Sequence, residues 1–316
     1  MPTSESAVTD RGLLVIGDVV TDVVALHGSP VMSGTDTAAD IVLRPGGSGA
    51  NTAAWAAHLG ADTRLLTRLG YDSSDWHTAE LVKTGVRPHV TVDLEHPTAV
   101  VIAMVDRSGE RSMLTNRGAG ALISADDWDP SLLDDVARLH LSGYLLFATP
   151  GLSLARAAMA DAAAAGVAIS VDPASTGPLR DFGVERFVRE TAPAGLVIPN
   201  LDEALLLTGA TTAERAAVLL SERYGTAIVK LGADGALAAV DGTVVATAAG
   251  VPAEVVDSTG AGDAFAAGFL TASLQGVDER GALEAGCRAG AACVAQVGGR
   301  PRYGLDLNRL YPIHTD

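Results

Sequence analysis

The chain has 316 residues, of which 48% are hydrophobic and only 4% aromatic, so a large core has to be filled by aliphatic side chains and alanine. A formal net charge of −16 excludes a phosphate-tracking nucleic-acid surface, which needs clustered Lys and Arg; a nucleotide can still be held by backbone N–H groups and a divalent cation. No apolar run approaches the ~20 residues of a membrane span, and Cys287 and Cys293 fall on differing faces of one expected helix, a usage that fits a reducing, cytoplasmic compartment.

Residues 1–11 are polar and lack the apolar stretch of a signal peptide, so they read as a frayed tail ahead of a single domain over 12–316. A short apolar run from Leu13 to Ile16 predicts the first strand, which ends at Gly17-Asp18. Further strand runs follow at Thr63 to Leu66, Arg138 to Leu141, Val167 to Val171, Leu196 to Ile198 and Ala227 to Val229. Helix patterns lie between them at Asn51 to Leu59, Asp75 to Thr84, Leu152 to Ala165 and Thr212 to Tyr224, with two long helices expected after Gly260. The Ala-rich third helix is a strong helix former and Gly166 stops it. Continuous apolar strands separated by helices predict an α/β fold of three layers, a mostly parallel central sheet with helices on both faces.

Two stretches break that rhythm. Residues 19–43 and 90–115 are rich in Val, Thr, Asp and Gly, alternate as strands do, and carry a turn signal at Arg107-Ser108-Gly109. They read as hairpins forming a small β-lid over a ligand crevice. Exposed lid edges invite pairing with a second copy, so a homodimer through the lid is the partner reading, besides a small-molecule substrate.

Five glycine- or carboxylate-bearing strings carry chemistry. Asp18 and Asp22 follow the first strand, where a carboxylate faces the crevice of an open α/β sheet and accepts from hydroxyls; Asp18 can equally cap a turn. Gly46-Gly47-Ser48-Gly49-Ala50-Asn51 opens a helix, lets backbone approach a polyol, and offers the Asn51 amide to a hydroxyl pair; read alone, it is a glycine turn with an Asn cap. Asn200-Leu201-Asp202-Glu203 and Lys230-Leu231-Gly232-Ala233-Asp234-Gly235 each follow a strand. The first suits water-mediated magnesium but is also a capping box. The lysine of the second either touches phosphate or is solvated.

The string Asp257-Ser258-Thr259-Gly260-Ala261-Gly262-Asp263 follows the strand-like Val255-Val256 and opens an alanine-rich helix. A glycine-bracketed turn at a helix start aims unpaired N–H groups at one point, a site for the charge on a transferring phosphoryl group. A carboxylate in the first turn can take a hydroxyl proton there, although a capping aspartate has the same look. No GxxxxGK[ST] string occurs, which excludes a P-loop, and the first strand lacks the glycine spacing of a Rossmann oxidoreductase.

The Asp257–Asp263 and Gly46–Asn51 strings, with Ala57-His58-Leu59-Gly60 behind the second, resemble the two signatures of the ribokinase-like (phosphofructokinase-B type) kinase family across roughly residues 12 to 300. The resemblance implies an ATP- and magnesium-dependent carbohydrate kinase with Asp263 as catalytic base and Gly260, Ala261 and Gly262 as anion hole. Asp22, Gly46, Gly47 and Asn51, with Asp18, would bind the acceptor. Asn200, Lys230, Gly232 and Gly235 would meet the nucleotide, Glu203 would act on Mg2+ through water, and Asp257 and Thr259 would help hold a K+-like cation. Nucleoside kinases of the same family, and a catalytically silent sugar-sensing relative, are the alternatives.

Substrate identity is less defined. Ribokinases usually carry a Glu on the central strand, whereas Leu139-His140-Leu141-Ser142-Gly143-Tyr144 here has none, which speaks against ribose. Gly143 and Tyr144 either open space and offer a stacking face or simply pack. Arg107, Arg111 and Arg117, in or beside the second hairpin, either meet a substrate anion or are solvated. His58 and His140 have no metal-like spacing and read as structural.

Overall fold

A computed structural model describes residues 12–106 and 111–302. The expected tail at 1–11 and Arg107 lie outside the described residues, and of Arg111 only the backbone is described.

The chain opens with β1 (Gly12–Ile16), β2 (Val20–His27), β3 (Ala39–Gly46), α1 (Ser48–His58), β4 (Thr63–Gly70), α2 (Ser74–Lys83) and β5 (Arg87–Asp93). There follow β6 (Ala99–Val105), β7 (Arg111–Asn116), short 3-10 turns, β8 (Val136–Ser142), α3 (Thr149–Ala164), β9 (Ala168–Asp172), α4 (Thr176–Phe182) and α5 (Val184–Glu190). The second half continues with β10 (Leu196–Val197), α6 (Leu201–Thr208), α7 (Ala213–Tyr224), β11 (Thr226–Lys230), β12 (Ala236–Val240), β13 (Thr243–Ala248), α8 (Ala261–Leu274) and α9 (Glu279–Val294).

Nine strands form one sheet in the order β13-β12-β11-β10-β9-β8-β1-β4-β5, parallel except for the β11-β12-β13 meander. Burial on both faces explains the uninterrupted apolar strands. In β1, Leu14 and Ile16 join the core under α3 and α7, while Leu13 and Val15 join the core under α1, α8 and α9, and none of the four is exposed. The helices thus make the outer layers of a ribokinase-like α/β/α fold. Close packing of α8 on α9 depends on small residues: a Cβ at Gly268 would lie 2.7 Å from the Ala285 carbonyl, and one at Gly286 would meet the Phe265 ring at 2.9 Å.

A second, four-stranded sheet has the order β3-β2-β6-β7, with β2 and β6 parallel and the other pairs antiparallel. Here the structure revises the sequence reading of 90–115. Residues 90–93 belong to β5, which pairs with β4 at the edge of the main sheet, and only β6 and β7 enter the small one. The alternating pattern was right about strand and silent about which sheet, because the period of 2 is the same in both. The stretch Val255-Val256, read as strand-like, forms no strand and both side chains are exposed. The β12–β13 hairpin, α4 and α5 had no counterpart in the sequence reading.

Candidate active site

Parallel strands β1, β8, β9 and β11 end along one edge of the main sheet, and the small sheet stands over that edge. Between them lies a cavity of about 1150 Å³, room for a nucleotide and an acceptor together. Asp18, Asp22, Gly47, Asn51, Asn200, Glu203, Lys230, Gly232 and Gly235 line it, as do the residues from Asp257 to Asp263.

Two carboxylates begin at the end of β1. Asp18 accepts from the backbone N–H groups of Ser48 and Gly49 at 3.2 Å each, and from the Ser142 hydroxyl at 3.3 Å. It therefore fixes the start of α1, an anion at a helix N-terminus, and its oxygens are engaged within the protein. Asp22 points from β2 into the cavity beside Gly46, where any Cβ would overlap its carboxylate. Burial pushes the Asp22 carboxyl up to about 6; Arg300 opposes the rise while Asp18 and Asp257 add to it. The Arg300 guanidinium also donates to the Gly46 carbonyl at 3.0 Å.

The two glycine strings meet at Asp263. Gly260 takes the left-handed conformation (φ 76°) and no side chain caps α8, so its first turn opens on the cavity with Asp263 inside it. The Asp263 carboxylate accepts from the Ser48 hydroxyl at 2.8 Å and from the Asn51 amide at 2.9 Å. Burial pushes its pKa up to about 7; Asn51, Ser48 and Lys230 pull it down and Asp172 pushes it further up. Asn51 is 3% exposed and gives its N–H to Asp263, whereas the sequence reading had that amide meeting a hydroxyl pair directly. Ser48 as a partner of Asp263 was missed; it sits inside a quoted string, but only the fold brings residue 48 to residue 263.

Lys230 is not solvated. At the end of β11 its ammonium is buried and lies 2.6 Å from Asp172, at the end of β9. Burial works against its charge, but Asp172 and Glu203 hold its pKa above the usual range. The same ammonium is 3.3 Å from where a Gly262 Cβ would stand, so it underlies the start of α8. Asp172 went unnamed in the sequence, although the rule that singled out Asp18, a carboxylate ending a parallel strand, applies to it equally.

Asn200 and Glu203 form a complete capping box at α6: the Asn200 side chain accepts from the Glu203 N–H at 2.9 Å, and Glu203 accepts from the Asn200 backbone and amide at 2.9 and 2.8 Å. Glu203 is 1% exposed, and burial with help from Asp172 raises its pKa to about 7, against Lys230. Asp257 accepts from Thr259 N–H at 2.9 Å and from Gly298 N–H at 3.0 Å, clasping the loop before α8 to the segment after α9. Gly235 (φ 102°) lies against the Ala248 carbonyl, a contact that excludes any Cβ.

The remaining candidates separate cleanly. Gly143 packs on the Asp172–Pro173 backbone, where a Cβ would come within 2.6 Å, so it is a close approach and not open space. Tyr144 lines the cavity. Arg117 donates to the Tyr144 carbonyl at 2.6 Å, joining the end of β7 to the main body. His140 is buried against the Ser170 hydroxyl at 3.0 Å with its pKa driven down to about 4, and His58 stacks edge-on to Trp55. Both cysteines are free and buried. Among the described residues no cluster of three or more His, Cys, Asp or Glu is placed to hold a metal, and no helix is long and apolar enough to cross a membrane.

An open α/β sheet ending in a cleft that holds a helix start without a side-chain cap, a buried lysine and carboxylates of raised pKa defines a phosphotransferase of ribokinase-like class. Residues 10–302 match the pfkB family carbohydrate kinases. The chain is 31% identical over 271 residues to an ATP-dependent ribose-1-phosphate kinase of Halopiger xanaduensis, covering 81% of this chain and 82% of that one. It is 32% identical to a fructokinase of Escherichia coli, covering 72% and 76%. Its fold superposes with a TM-score of 0.85 on the adenosine kinase of Sinorhizobium meliloti, at 24% identity and covering 95% and 98% of the two chains. The chain belongs to the pfkB carbohydrate kinase family, and is an ATP-dependent phosphotransferase with an alcohol group as acceptor.

Proposed function

We propose that this kinase moves the γ-phosphoryl group of ATP onto a hydroxyl of a small sugar or nucleoside, with Asp263 as general base. The observation that carries the reading is the Asp263 carboxylate itself: it stands in the first turn of α8, held by Ser48 and Asn51, with its pKa raised to about 7. A base poised near the working pH takes a proton with the best balance of charge state and driving force. Asp22 orients the acceptor by taking hydrogen bonds from its hydroxyls, with Gly47 admitting it to the backbone and Gly46 leaving room for the Asp22 carboxylate; Asp18 acts one step back, by fixing α1. The acceptor oxygen loses its proton to Asp263 and bonds to the γ-phosphorus, while the bond from that phosphorus to the β–γ bridging oxygen breaks and ADP leaves with the electron pair.

Charge on the transferring group is met by the N–H groups at Gly260, Ala261 and Gly262 and by Lys230 beneath them. The turn from Gly232 to Gly235 borders the nucleotide. Glu203 and Asn200 supply the hard oxygens that suit magnesium through water, and that ion would neutralise phosphate charge. Asp257 and the Thr259 carbonyl suit a potassium-like cation at the loop before α8. The small sheet acts as a lid, and its outer face receives a second copy.

The test is acceptor-dependent ADP release from Mg-ATP across ribose, fructose, 2-keto-3-deoxygluconate, adenosine, cytidine and pseudouridine, for the native chain and for Asp263→Asn. The expected result is a fall of about 10²–10⁴ in turnover with acceptor binding retained by calorimetry. A sensing protein would bind without turnover in both forms, and an unchanged rate in the variant rejects the base.

A further inference from the structure

We infer that the acceptor is a nucleoside, a pentose carrying a flat nitrogenous base, and not a free or phosphorylated sugar. This rests on the kinase reading above and deepens it. Asp22 and Asp263, the groups assigned to the acceptor hydroxyls, both face the cavity. Two residues further along β2 the same face becomes apolar. Val24 stands level with Ala103 and then Met113 across the sheet, all three lining the same cavity, and Val101 lines it one step back, level with Asp22. One strand step of two residues is roughly 7 Å, about the distance from a pentose ring to the base it carries. Tyr144 and Phe147 line the cavity from the main body, edge to face with ring centroids 6.1 Å apart. Burial first, then Asp18 and Asp263, raise the pKa of the Tyr144 hydroxyl, against a hydrogen bond with Ser175.

A free sugar carries hydroxyls on all sides, and each one buried without a partner costs binding. The apolar wall has no partners for them, but it suits the faces of a planar ring. Thr115 stands in the Asp22 row, across Val101, on the pentose side of that wall, and Arg117 after it is held in place by the Tyr144 carbonyl. A phosphorylated sugar would need cations that converge on one dianion. Among the described residues the arginines of the lining are Arg44, in β3, and Arg117, just past β7, at opposite edges of the small sheet. Three inter-strand spacings, roughly 14 Å, separate those edges, and Arg117 already donates to the Tyr144 carbonyl.

The experiment measures kcat/KM with Mg-ATP for adenosine, cytidine and pseudouridine against ribose, fructose, ribose 1-phosphate and fructose 1-phosphate. The best nucleoside is expected to exceed every free or phosphorylated sugar by at least about tenfold. Ala103→Asp, which puts a carboxylate on the apolar wall, is expected to lower the nucleoside-to-ribose ratio about tenfold or more, and Ala103→Leu, which fills space without charge, to lower it too. A sugar or sugar phosphate as best acceptor overturns the inference, as does a ratio unmoved by both variants in folded protein. The two readings fail separately. Nucleoside binding without ADP release would sink the kinase reading alone, whereas ADP release with sugars only would sink this one alone, and failure of any nucleoside to bind sinks it as well.

Discussion

Lys230 and Asp172 form an ion pair of 2.6 Å at the carboxyl ends of two strands of one sheet, with side chains only 11% and 7% exposed. Burying such a pair is costly, and its attraction repays that cost only with good geometry. The pair stands where the proposed transfer occurs, because the ammonium also underlies Gly262. Asp172 thus keeps the lysine charged and aimed, and it raises the pKa of Asp263 and Glu203.

Asp172→Asn is therefore expected to leave an uncompensated ammonium in the interior and cost about 3–5 kcal/mol of stability. The double variant Asp172→Asn with Lys230→Met is expected to recover most of that loss in a denaturant titration, and none of the lost turnover. Recovery of turnover along with stability would mean the pair only holds the fold.

With Asp263 as the proposed base, its raised pKa is expected to set the acid limb of the rate. A base must be deprotonated to act, so kcat/KM is expected to fall about tenfold per pH unit below about 7. Ser48 and Asn51 lower that pKa by donating to the carboxylate. Ser48→Ala is expected to move the limb to higher pH, as a pH–rate profile would show. A limb unmoved, or moved to lower pH, contradicts the assignment.

Stability has the opposite dependence to that of an ordinary salt-bridged carboxylate. Asp22, Glu203 and Asp263 have pKa values of about 6, 7 and 7, raised from 3.8 or 4.5. A group that binds its proton more tightly when folded gives its full stabilisation below the unfolded pKa and loses it as pH rises through the folded one. The ligand-free Tm is therefore expected to decline between about pH 5 and 8, and Asp263→Asn, which cannot ionise, to show a shallower decline. A slope identical in the two proteins would remove Asp263 from the set.

Much of this arrangement was legible before any fold was known, for a local reason. The Asp257–Asp263 string encodes its own geometry, since a left-handed Gly260 has to precede the helix that carries Asp263. Continuous apolar runs such as Leu13 to Ile16 announced strands buried on both faces. What escaped was non-local. Nothing near residue 230 says that its ammonium meets residue 172, and nothing near residue 48 says that its hydroxyl reaches residue 263. Residues 90–93 went to the wrong sheet because strand alternation carries no information on its partner.

The outer face of the small sheet supplies the last prediction. Its β2, β3, β6 and β7 residues alternate, and those facing away from the cavity include Ile41, Leu43, Ile102 and Leu114, at 63%, 57%, 36% and 59% exposure. Four strands of this length cover roughly 400 Å², within the range of the largest apolar patch on a typical monomer and large enough to mark an interaction site. A face related to itself by a two-fold axis is complementary in apolar character without further design, and β3 and β7 add unpaired backbone at the edges. The native chain is therefore expected to sediment as a dimer, and Leu43→Asp, which places two like charges in the joint, as a monomer. Because the same sheet carries Asp22 on its inner face, the monomeric variant is also expected to show a raised acceptor KM with its ATP KM little changed. A native chain that sediments as a monomer at micromolar concentration would rule this pairing out.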